Sequence, residues 1–309
     1  MIKKEFIEFV SGKTGIDKLS FIEKDLLLHS ILSDLIKNRE FKENIAFKGG
    51  TCLTKCYLGY YRFSEDIDFT YFKTKDFEGK SESQIRKIIS EKTNTISEQI
   101  SKIAEKLGLD FKPEKNNRRY FEFGGGNKFT TFKLWYKSSI SEIESFIKIQ
   151  INFVEKIFYR IEEIEAKSIF DKTFEKEIKF VYPEYSYLLE PIKIKVYGLN
   201  EILIEKIRAI LTRKVIKGRD LIDAYLIINQ TKPDIELIKK QSIEKINFML
   251  KYEKYSENIQ NKNLEFLDKF VIGDESKLMI KEMPKGFDKF VKEFKAVLND
   301  VKDKIKTGQ

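Results

Sequence analysis

The chain has 309 residues, with 58 Lys and Arg against 49 Asp and Glu, so its formal net charge is +9. Its length allows one large domain or two, and no apolar run approaches the roughly 18 residues of a membrane-spanning helix. A single histidine excludes His-based triads and His-rich metal sites. The positive charge is consistent with a polyanionic partner such as nucleic acid. It is equally consistent with a Lys-rich composition that has no functional significance. No signal peptide opens the sequence, so we expect a cytoplasmic protein that does not contact a membrane.

The first 44 residues are dominated by helical spacing of apolar side chains, which predicts helices between about residues 3 and 39. His29 lies in this region, and we expect it to pack in the core or to lie at the surface. The short apolar run Ile45-Ala46-Phe47 then predicts a strand.

Gly49 and Gly50 follow this strand and predict a tight turn whose backbone can come close to a ligand. Apolar residues recur at helical spacing after Thr51, so the turn leads into a helix over residues 51–60. Unpaired N–H groups and the helix dipole favour an anion at such a helix N-terminus, which predicts a phosphate site. Cys52 and Cys56 share a face of this helix, but without further Cys or His partners we expect buried, reduced thiols and no zinc site.

The stretch Asp66-Ile67-Asp68-Phe69 alternates charged and apolar residues and predicts a strand over 66–71. Both carboxylates then project on one face while Ile67 and Phe69 point to the core. Two neighbouring carboxylates repel each other unless a cation lies between them, and Mg²⁺ suits all-oxygen ligands and phosphate chemistry. The alternative is an ordinary turn at the glycines and a solvated strand face at the aspartates.

A glycine-rich turn, a helix and an Asp-x-Asp strand, in this order, resemble the DNA polymerase β-like nucleotidyltransferases. More specifically, the wording Phe-Lys-Gly-Gly-Thr-x-Leu-x-Lys followed by Arg-Phe-Ser-Glu-Asp-Ile-Asp-Phe resembles the AbiEii/AbiGii family. That family supplies toxins of toxin–antitoxin and phage abortive-infection systems. The resemblance implies an α+β fold, in which a polymerase β-like domain with a mixed sheet flanked by helices precedes a helical C-terminal domain.

The middle of the chain predicts one long helix and several strands. The helix covers residues 81–107 and ends at Gly108. The strands are a hairpin with arms 118–123 and 128–136, a strand over 146–154 and a short strand over 192–196.

Polymerase β-like enzymes place a third carboxylate on a strand beside the Asp-x-Asp strand. Strand 146–154 carries Gln150 and Asn152 at the alternating positions, and its first acid is Glu155 at the edge. It stays open whether a third acid or another base completes the site.

After Gly198 the sequence predicts almost only helices, so we place a domain boundary there. The expected domains are a nucleotidyltransferase domain over 1–197 and a helical domain over 198–309. Asn200 is predicted as the N-cap of a helix over 201–215. Further helices follow over 234–305, the last of them over 286–305.

The block Leu-Asn-x₄-Glu-Lys-x-Arg-Ala-Ile and the later Arg-Asp-x-x-Asp also resemble motifs of this family. The resemblance implies that Lys206 contacts the nucleotide phosphates, that Asp220 is part of the catalytic set and that Arg219 and Asp223 support it. An ammonium facing the Asp-x-Asp strand would neutralise triphosphate charge. The alternative is an N-capping Asp220 and surface ion pairs.

The resemblance implies transfer of a nucleoside monophosphate from NTP, the substrate, to an RNA acceptor, with the 3′ end of tRNA as the leading candidate and a cognate antitoxin encoded alongside. Two Mg²⁺ ions would bind Asp66 and Asp68. Arg62 and Ser64 either bind phosphate or only hold the loop in place. A protein or small-molecule hydroxyl as acceptor, and a non-catalytic NTP-binding module, are the alternatives. The residues expected to bind the nucleotide are Gly49, Gly50, Thr51, Arg62, Ser64 and Lys206.

Overall fold

The computed structural model describes residues 1–170, 172–251 and 253–305. The chain divides into two compact units, one formed by Met1–Glu155 with Ile161–Val196, the other by Lys156–Arg160 with the residues from Tyr197 onward. In the described part of the chain no helix is long and apolar enough to span a bilayer.

Seven strands of the first unit form one mixed sheet, which confirms the mixed sheet expected for the predicted α+β fold. The sheet order is β3-β4-β5-β2-β1-β7-β6, with β2 parallel to β5, β1 parallel to β7 and the other neighbours antiparallel. The strands are β1 (Ile45–Lys48), β2 (Asp66–Tyr71), β3 (Phe121–Gly124), β4 (Phe129–Lys137), β5 (Glu144–Asn152), β6 (Glu162–Ala166) and β7 (Ile192–Val196).

Helices account for most of the rest of both units. The α-helices of the first unit are α1 (Lys4–Thr14), α2 (Leu19–Leu35), α3 (Arg39–Asn44), α4 (Gly49–Cys52), α5 (Glu82–Leu107) and α6 (Glu175–Val181). Those of the second are α7 (Leu199–Thr212), α8 (Gly218–Thr231), α9 (Ile235–Met249), α10 (Glu253–Gln260) and α11 (Phe287–Asp303). A π-helix covers Leu53–Leu58, and 3₁₀ turns cover Thr74–Phe77, Lys172–Phe174, Pro183–Leu189, Glu265–Lys269 and Asp274–Leu278.

Helix α5 forms where the sequence predicts it because its ends carry their own signals. Ser81 caps the first turn in a capping box with Gln84, and Gly108 closes the last turn at φ +68°. Its apolar stripe is buried while the opposite face is exposed. Caps and stripe therefore agree on one helix of 26 residues.

The central strand β2 separates a polar sheet face from an apolar one. Ile67 and Phe69 are 1% and 0% exposed, and Phe69 lies directly opposite Phe47 of β1 with the ring centres 5.5 Å apart. Full burial of each such side chain stabilises the fold by about 1.5–3 kcal/mol. This apolar face locks the register of β2 and so directs Asp66 and Asp68 to the other face.

The structure corrects several predicted boundaries. Helix α7 begins at Leu199 with Gly198 as an extended N-cap, so the prediction of Asn200 as N-cap is wrong. Helix α8 is capped by Lys217, which places Asp220 inside its first turn and removes the alternative of an N-capping Asp220. The hairpin is confirmed, but its first strand starts only at Phe121 because the preceding residues form a turn.

A buried polar cluster joins α2 to the π-helix that follows the glycine turn. Lys55 forms an ion pair of 2.8 Å with Asp25 and donates to the Tyr60 hydroxyl at 2.6 Å. His29 lies beside this cluster, fully buried, and neither ring nitrogen has a hydrogen-bond partner among the described residues. Burial lowers the pKa of His29 well below its usual value, and the charge of Lys55 lowers it further.

We therefore expect acid to destabilise the fold through His29. The unfolded chain takes up a proton at this imidazole below pH about 6.5 while the folded chain does not, so the free energy of unfolding falls by up to about 1.4 kcal/mol per pH unit below 6.5. Urea unfolding between pH 7.5 and 5 measures this slope. His29→Leu should remove it, because the chain has one histidine. An unchanged slope in the variant would assign the pH dependence to other groups.

Candidate functional site

The two aspartates of β2 lie in the middle of the polar sheet face. Asp68 is directly opposite Lys48 of β1 on one side and Gln150 of β5 on the other. Asp66 lies two residues earlier on the same strand, opposite Lys148 of β5, and both aspartates are half-buried. Their common face confirms the alternation predicted for this strand.

The glycine turn lies directly against these carboxylates. Gly49 has φ +79°, and a Cβ placed there would come within 3.1 Å of the Asp68 Cβ and would collide with its carboxylate oxygen. A Cβ at Gly50 would overlap the Arg62 guanidinium and come within 3.1 Å of the Ser64 hydroxyl oxygen. Only glycine at both positions therefore lets the backbone N–H groups of the turn come so close to β2.

Thr51, Ser64 and Arg62 hold this turn in place. The buried Thr51 hydroxyl lies 2.8 Å from the Ser64 hydroxyl and within hydrogen-bond distance of the Asp66 carbonyl oxygen. Arg62 is 1% exposed and donates to the Phe63 carbonyl oxygen at 2.8 Å. This contact supports the role of fixing the loop for Arg62, although its part in binding phosphate stays a prediction.

The neighbouring strand β5 places no carboxylate directly opposite Asp66 or Asp68. Gln150 donates to the Thr131 hydroxyl at 3.3 Å, and Asn152 donates to Glu155 at 2.6 Å. Glu155 is buried and lies 3.3 Å from the Lys48 ammonium. Within residues 1–170, 172–251 and 253–305 no group of three or more His, Cys, Asp or Glu could hold a metal ion. The question of a third acid therefore stays open.

The donor set of β2 nevertheless fits Mg²⁺. This ion is commonly bound through one or two carboxylates, with water and substrate phosphates completing its shell. Asp66 and Asp68 supply two carboxylates on one face, and the turn at Gly49 supplies backbone N–H groups for phosphate beside them.

Cys52 and Cys56 form no disulfide, and burial raises the pKa of the Cys52 thiol well above its usual value. Cys52 is buried as expected, whereas Cys56 is only half-buried.

The second unit contains the other predicted residues in one buried ion cluster. Lys206 of α7 lies 2.8 Å from Asp220 and 2.6 Å from Asp223 of α8, and the side chains of the two aspartates are 3% and 0% exposed. Arg213 also pairs with Asp220. Burial raises the pKa of the Asp220 carboxyl, but the charges of Lys206 and Arg213 outweigh this effect and hold its pKa below the usual value. Arg219 is half-buried and makes no ion pair with any described residue.

The cluster leaves Lys206 one further hydrogen bond to make. An ammonium has three N–H donors, and Asp220 and Asp223 take two of them. Lys206 has no other partner among the residues that the structure describes. Two carboxylates around one lysine thus fix the direction of the third N–H bond.

The sequence did not predict that Lys48, half-buried and directly opposite Asp68, forms an ion pair with the buried Glu155. Both were visible, Lys48 in the Phe-Lys-Gly-Gly motif and Glu155 as the first acid after β5. Their contact could not be predicted because it joins residues 107 positions apart.

Replacing Gly49 by alanine should lower catalysis about 100-fold. The new Cβ would force the turn away from φ +79° and displace the Asp68 carboxylate, and a misplacement of about 1 Å can cost 10² in rate. Gly12→Ala in α1 is the matched control, because nothing lies within 4 Å of a Cβ there; we expect an unchanged rate and a gain in stability of about 0.5–1 kcal/mol. Rates of nucleotidyl transfer and urea unfolding test both variants. A Gly49→Ala enzyme as active as Gly12→Ala would show that the close approach of the turn is not needed.

Two crystal structures are similar to this chain over most of its length. A crystal structure of JHP933 from Helicobacter pylori is 14% identical, covers 93% of this chain and 93% of its own, and has a TM-score of 0.43. A crystal structure of a candidate nucleotidyltransferase from H. pylori is 16% identical, covers 91% and 93%, and has a TM-score of 0.38. Both TM-scores lie below 0.5, so we draw no conclusion about fold or function from these two structures. No curated protein matches the chain.

The family comparison is decisive. A model of the nucleotidyl transferase AbiEii toxin of type IV toxin–antitoxin systems matches residues 30–302, which is most of the chain. This match confirms the resemblance that the glycine turn, the Asp-x-Asp strand and the later Lys and Arg-Asp motifs indicate. The chain belongs to the AbiEii family of nucleotidyl transferase toxins.

Proposed function

We propose that this nucleotidyltransferase moves a nucleoside monophosphate from NTP to a hydroxyl of an RNA acceptor, in the first place the 3′ end of tRNA, and releases pyrophosphate. Modification of that end would block aminoacylation and inhibit growth. One observation carries the proposal: the two carboxylates of β2 share a sheet face with a glycine turn packed directly against them.

In this proposal each residue of the first unit has one task. Asp66 and Asp68 hold two Mg²⁺ ions, which when bound lower the pKa of the attacking hydroxyl and stabilise the leaving pyrophosphate. The N–H groups at Gly49, Gly50 and Thr51 bind the β- and γ-phosphates. Ser64 and the buried Arg62 keep the turn in the geometry that this binding needs.

In the second unit we assign Lys206 to the neutralisation of phosphate charge. Its remaining N–H donor is available for an oxygen ligand, while Asp220 and Asp223 keep the ammonium oriented. Arg219 and Asp223 support the cluster. The same proposal takes residues 1–197 as a polymerase β-like domain, residues 198–309 as a helical domain, the cytoplasm as the compartment and an antitoxin encoded alongside as the partner.

Incubation of the purified protein with Mg²⁺, each labelled NTP in turn and total tRNA tests the proposal. We expect label on tRNA with the wild type and none with Asp66→Ala/Asp68→Ala. Removal of Mg²⁺ with a chelator should also abolish labelling of the tRNA.

The neutral Gln150 opposite Asp68 is the observation that favours a non-catalytic NTP-binding module, and a protein or small-molecule acceptor is a further alternative. Label on a protein of a whole lysate, and none on tRNA, would replace the RNA acceptor by a protein hydroxyl; label on an aminoglycoside would replace it by a small molecule. NTP binding without transfer to any acceptor would make this chain a non-catalytic NTP-binding module.

A further inference from the structure

A cleft of about 830 Å³ opens in the first unit beside the β3–β4 hairpin. Its walls come from α5, the segment 115–118, β3, β4 and the turn between these strands. Four cations and one acid line it, so it carries a local excess of positive charge. They are Arg86, Lys115, Arg118, Lys133 and Glu122.

Two of these cations are arginines for which the described part of the chain offers no ion-pair partner. Arg86 and Arg118 are exposed and make no ion pair or side-chain hydrogen bond with any described residue. Arginine is scarce in this chain, with nine residues among 58 cations, which makes two of them in one cleft notable. The planar guanidinium matches the geometry of phosphate oxygens and binds them in pairs of hydrogen bonds.

An exposed aromatic ring accompanies the arginines. Phe123 of β3 lines the cleft and is 42% exposed, although its neighbour Phe121 is buried and stacks on it at 5.9 Å. Cationic side chains interleaved with exposed aromatic rings are typical of surfaces that bind single-stranded nucleic acid, where phosphates meet the cations and bases stack on the rings. An acidic protein partner would use the cations but would not need the ring.

The cleft lies at the edge strand β3. Phe123 pairs with the buried Thr130 and so projects on the apolar face of the sheet. From that edge a row of residues on the polar face leads to the candidate site. Lys133 of β4 lies directly opposite Lys148 of β5, and Lys148 lies directly opposite Asp66 of β2. Adjacent strands are about 4.8 Å apart, so the backbone of Lys133 is about 10 Å from that of Asp66. Like charges directly opposite each other destabilise a sheet, as Lys133 and Lys148 do here. Glu122 pairs with Lys133 and offsets part of this repulsion. An anion bound along the row would offset the remaining repulsion.

We propose that this cleft binds a single-stranded stretch of the RNA acceptor, with phosphates on Arg86 and Arg118 and a base on Phe123. The RNA then passes around the edge strand β3 and continues over Lys133 and Lys148 to Asp66. The inference rests on the proposed function and names the surface that recognises its acceptor.

Fluorescence anisotropy of a labelled single-stranded RNA oligonucleotide, at about 50 and 200 mM salt, tests the cleft. Arg86→Glu/Arg118→Glu should weaken binding at least about tenfold at the lower salt and reduce the slope of log K against log salt by about 1.4, since each phosphate contact contributes about 0.7. Phe123→Ala should weaken binding about fivefold at both salt concentrations, because stacking is not ionic. Far-UV circular dichroism and NTP binding should match the wild type.

Lys176→Glu/Lys193→Glu is the matched control. Both lysines are exposed, belong to the first unit and form no ion pair with a described residue, although Lys193 lies opposite Glu165 in the sheet. The double substitution changes the net charge by the same amount as the cleft pair. We expect its RNA affinity to stay within about twofold of the wild type. Equal weakening by the cleft and control pairs, or no salt-dependent RNA binding by the wild type, would overturn the inference.

The outcome also separates the cleft from the proposed function. Asp66→Ala/Asp68→Ala should bind RNA like the wild type while transferring nothing. If the cleft variants transfer nucleotide to RNA at the wild-type rate, the cleft does not bind the acceptor, and the proposed function still holds. RNA binding that depends on the cleft, with no transfer by the wild type, would refute the function and keep the cleft.

Discussion

Asp68→Asn is expected to lower the rate of nucleotidyl transfer at saturating NTP about 10³-fold. Asparagine keeps the size of the side chain, its place opposite Gln150 and its contact with Gly49, but it removes the negative charge that a divalent cation needs. The bound ion supplies several kcal/mol of transition-state stabilisation, and about 4 kcal/mol corresponds to 10³ in rate. Time courses of label transfer measure this loss. Asp66→Asn should behave alike, because both carboxylates belong to one ligand set.

A readout independent of activity accompanies this prediction. Mn²⁺, used as a paramagnetic substitute for Mg²⁺, should lose its protein-bound signal in electron paramagnetic resonance when Asp66 or Asp68 is changed. Asp17→Asn, an exposed acid just before α2, is the control and should leave both rate and Mn²⁺ binding unchanged. If Asp68→Asn kept more than a tenth of the rate, the metal would have to be held elsewhere.

The sequence predicts those parts of this molecule whose signals are local. Strand β2 is an example, because alternation alone sets which residues point to the core and therefore where Asp66 and Asp68 go. Helix α5 is another, since its caps and its apolar stripe lie within one continuous stretch. The pairing of Lys206 with Asp220 could be expected only through the resemblance to a family, because it joins two helices.

The missed elements lack such local signals. Strand β6 reads Glu-Glu-Ile-Glu-Ala and gives no alternation, yet it forms at the edge of the sheet, where only one neighbour strand and little burial are required. The predicted helix over 51–60 changes at Leu53 into a π-helix, a local widening that periodicity cannot reveal. Buried ion clusters are the third kind of omission, because their members are distant in sequence.

One such cluster lies in the second unit around Lys245 of α9. Its side chain is 0% exposed and lies 2.7 Å from Glu201 and 2.6 Å from Glu205, both on α7. Glu201, itself buried, also accepts the backbone N–H groups of Phe158 and Tyr159 at 2.8 and 3.0 Å. Lys245 thus compensates Glu201, which anchors the segment 156–160 to α7, and it shares Glu205 with Arg208, which lies 2.8 Å from that carboxylate.

Lys245→Met should therefore destabilise the second unit by about 3–5 kcal/mol, the cost of leaving a buried charge uncompensated. The matched control is Lys239→Met on the same helix, whose ammonium also contacts two carboxylates, Glu236 and Asp300. Those carboxylates are 76% and 53% exposed, so water replaces the lost partner and the change in stability should be small. Urea unfolding followed by far-UV circular dichroism compares the two. Equal losses would mean that the Lys245 cluster is solvated, whereas a loss confined to Lys245→Met shows that burial, and not the number of ion pairs, sets its contribution to the fold.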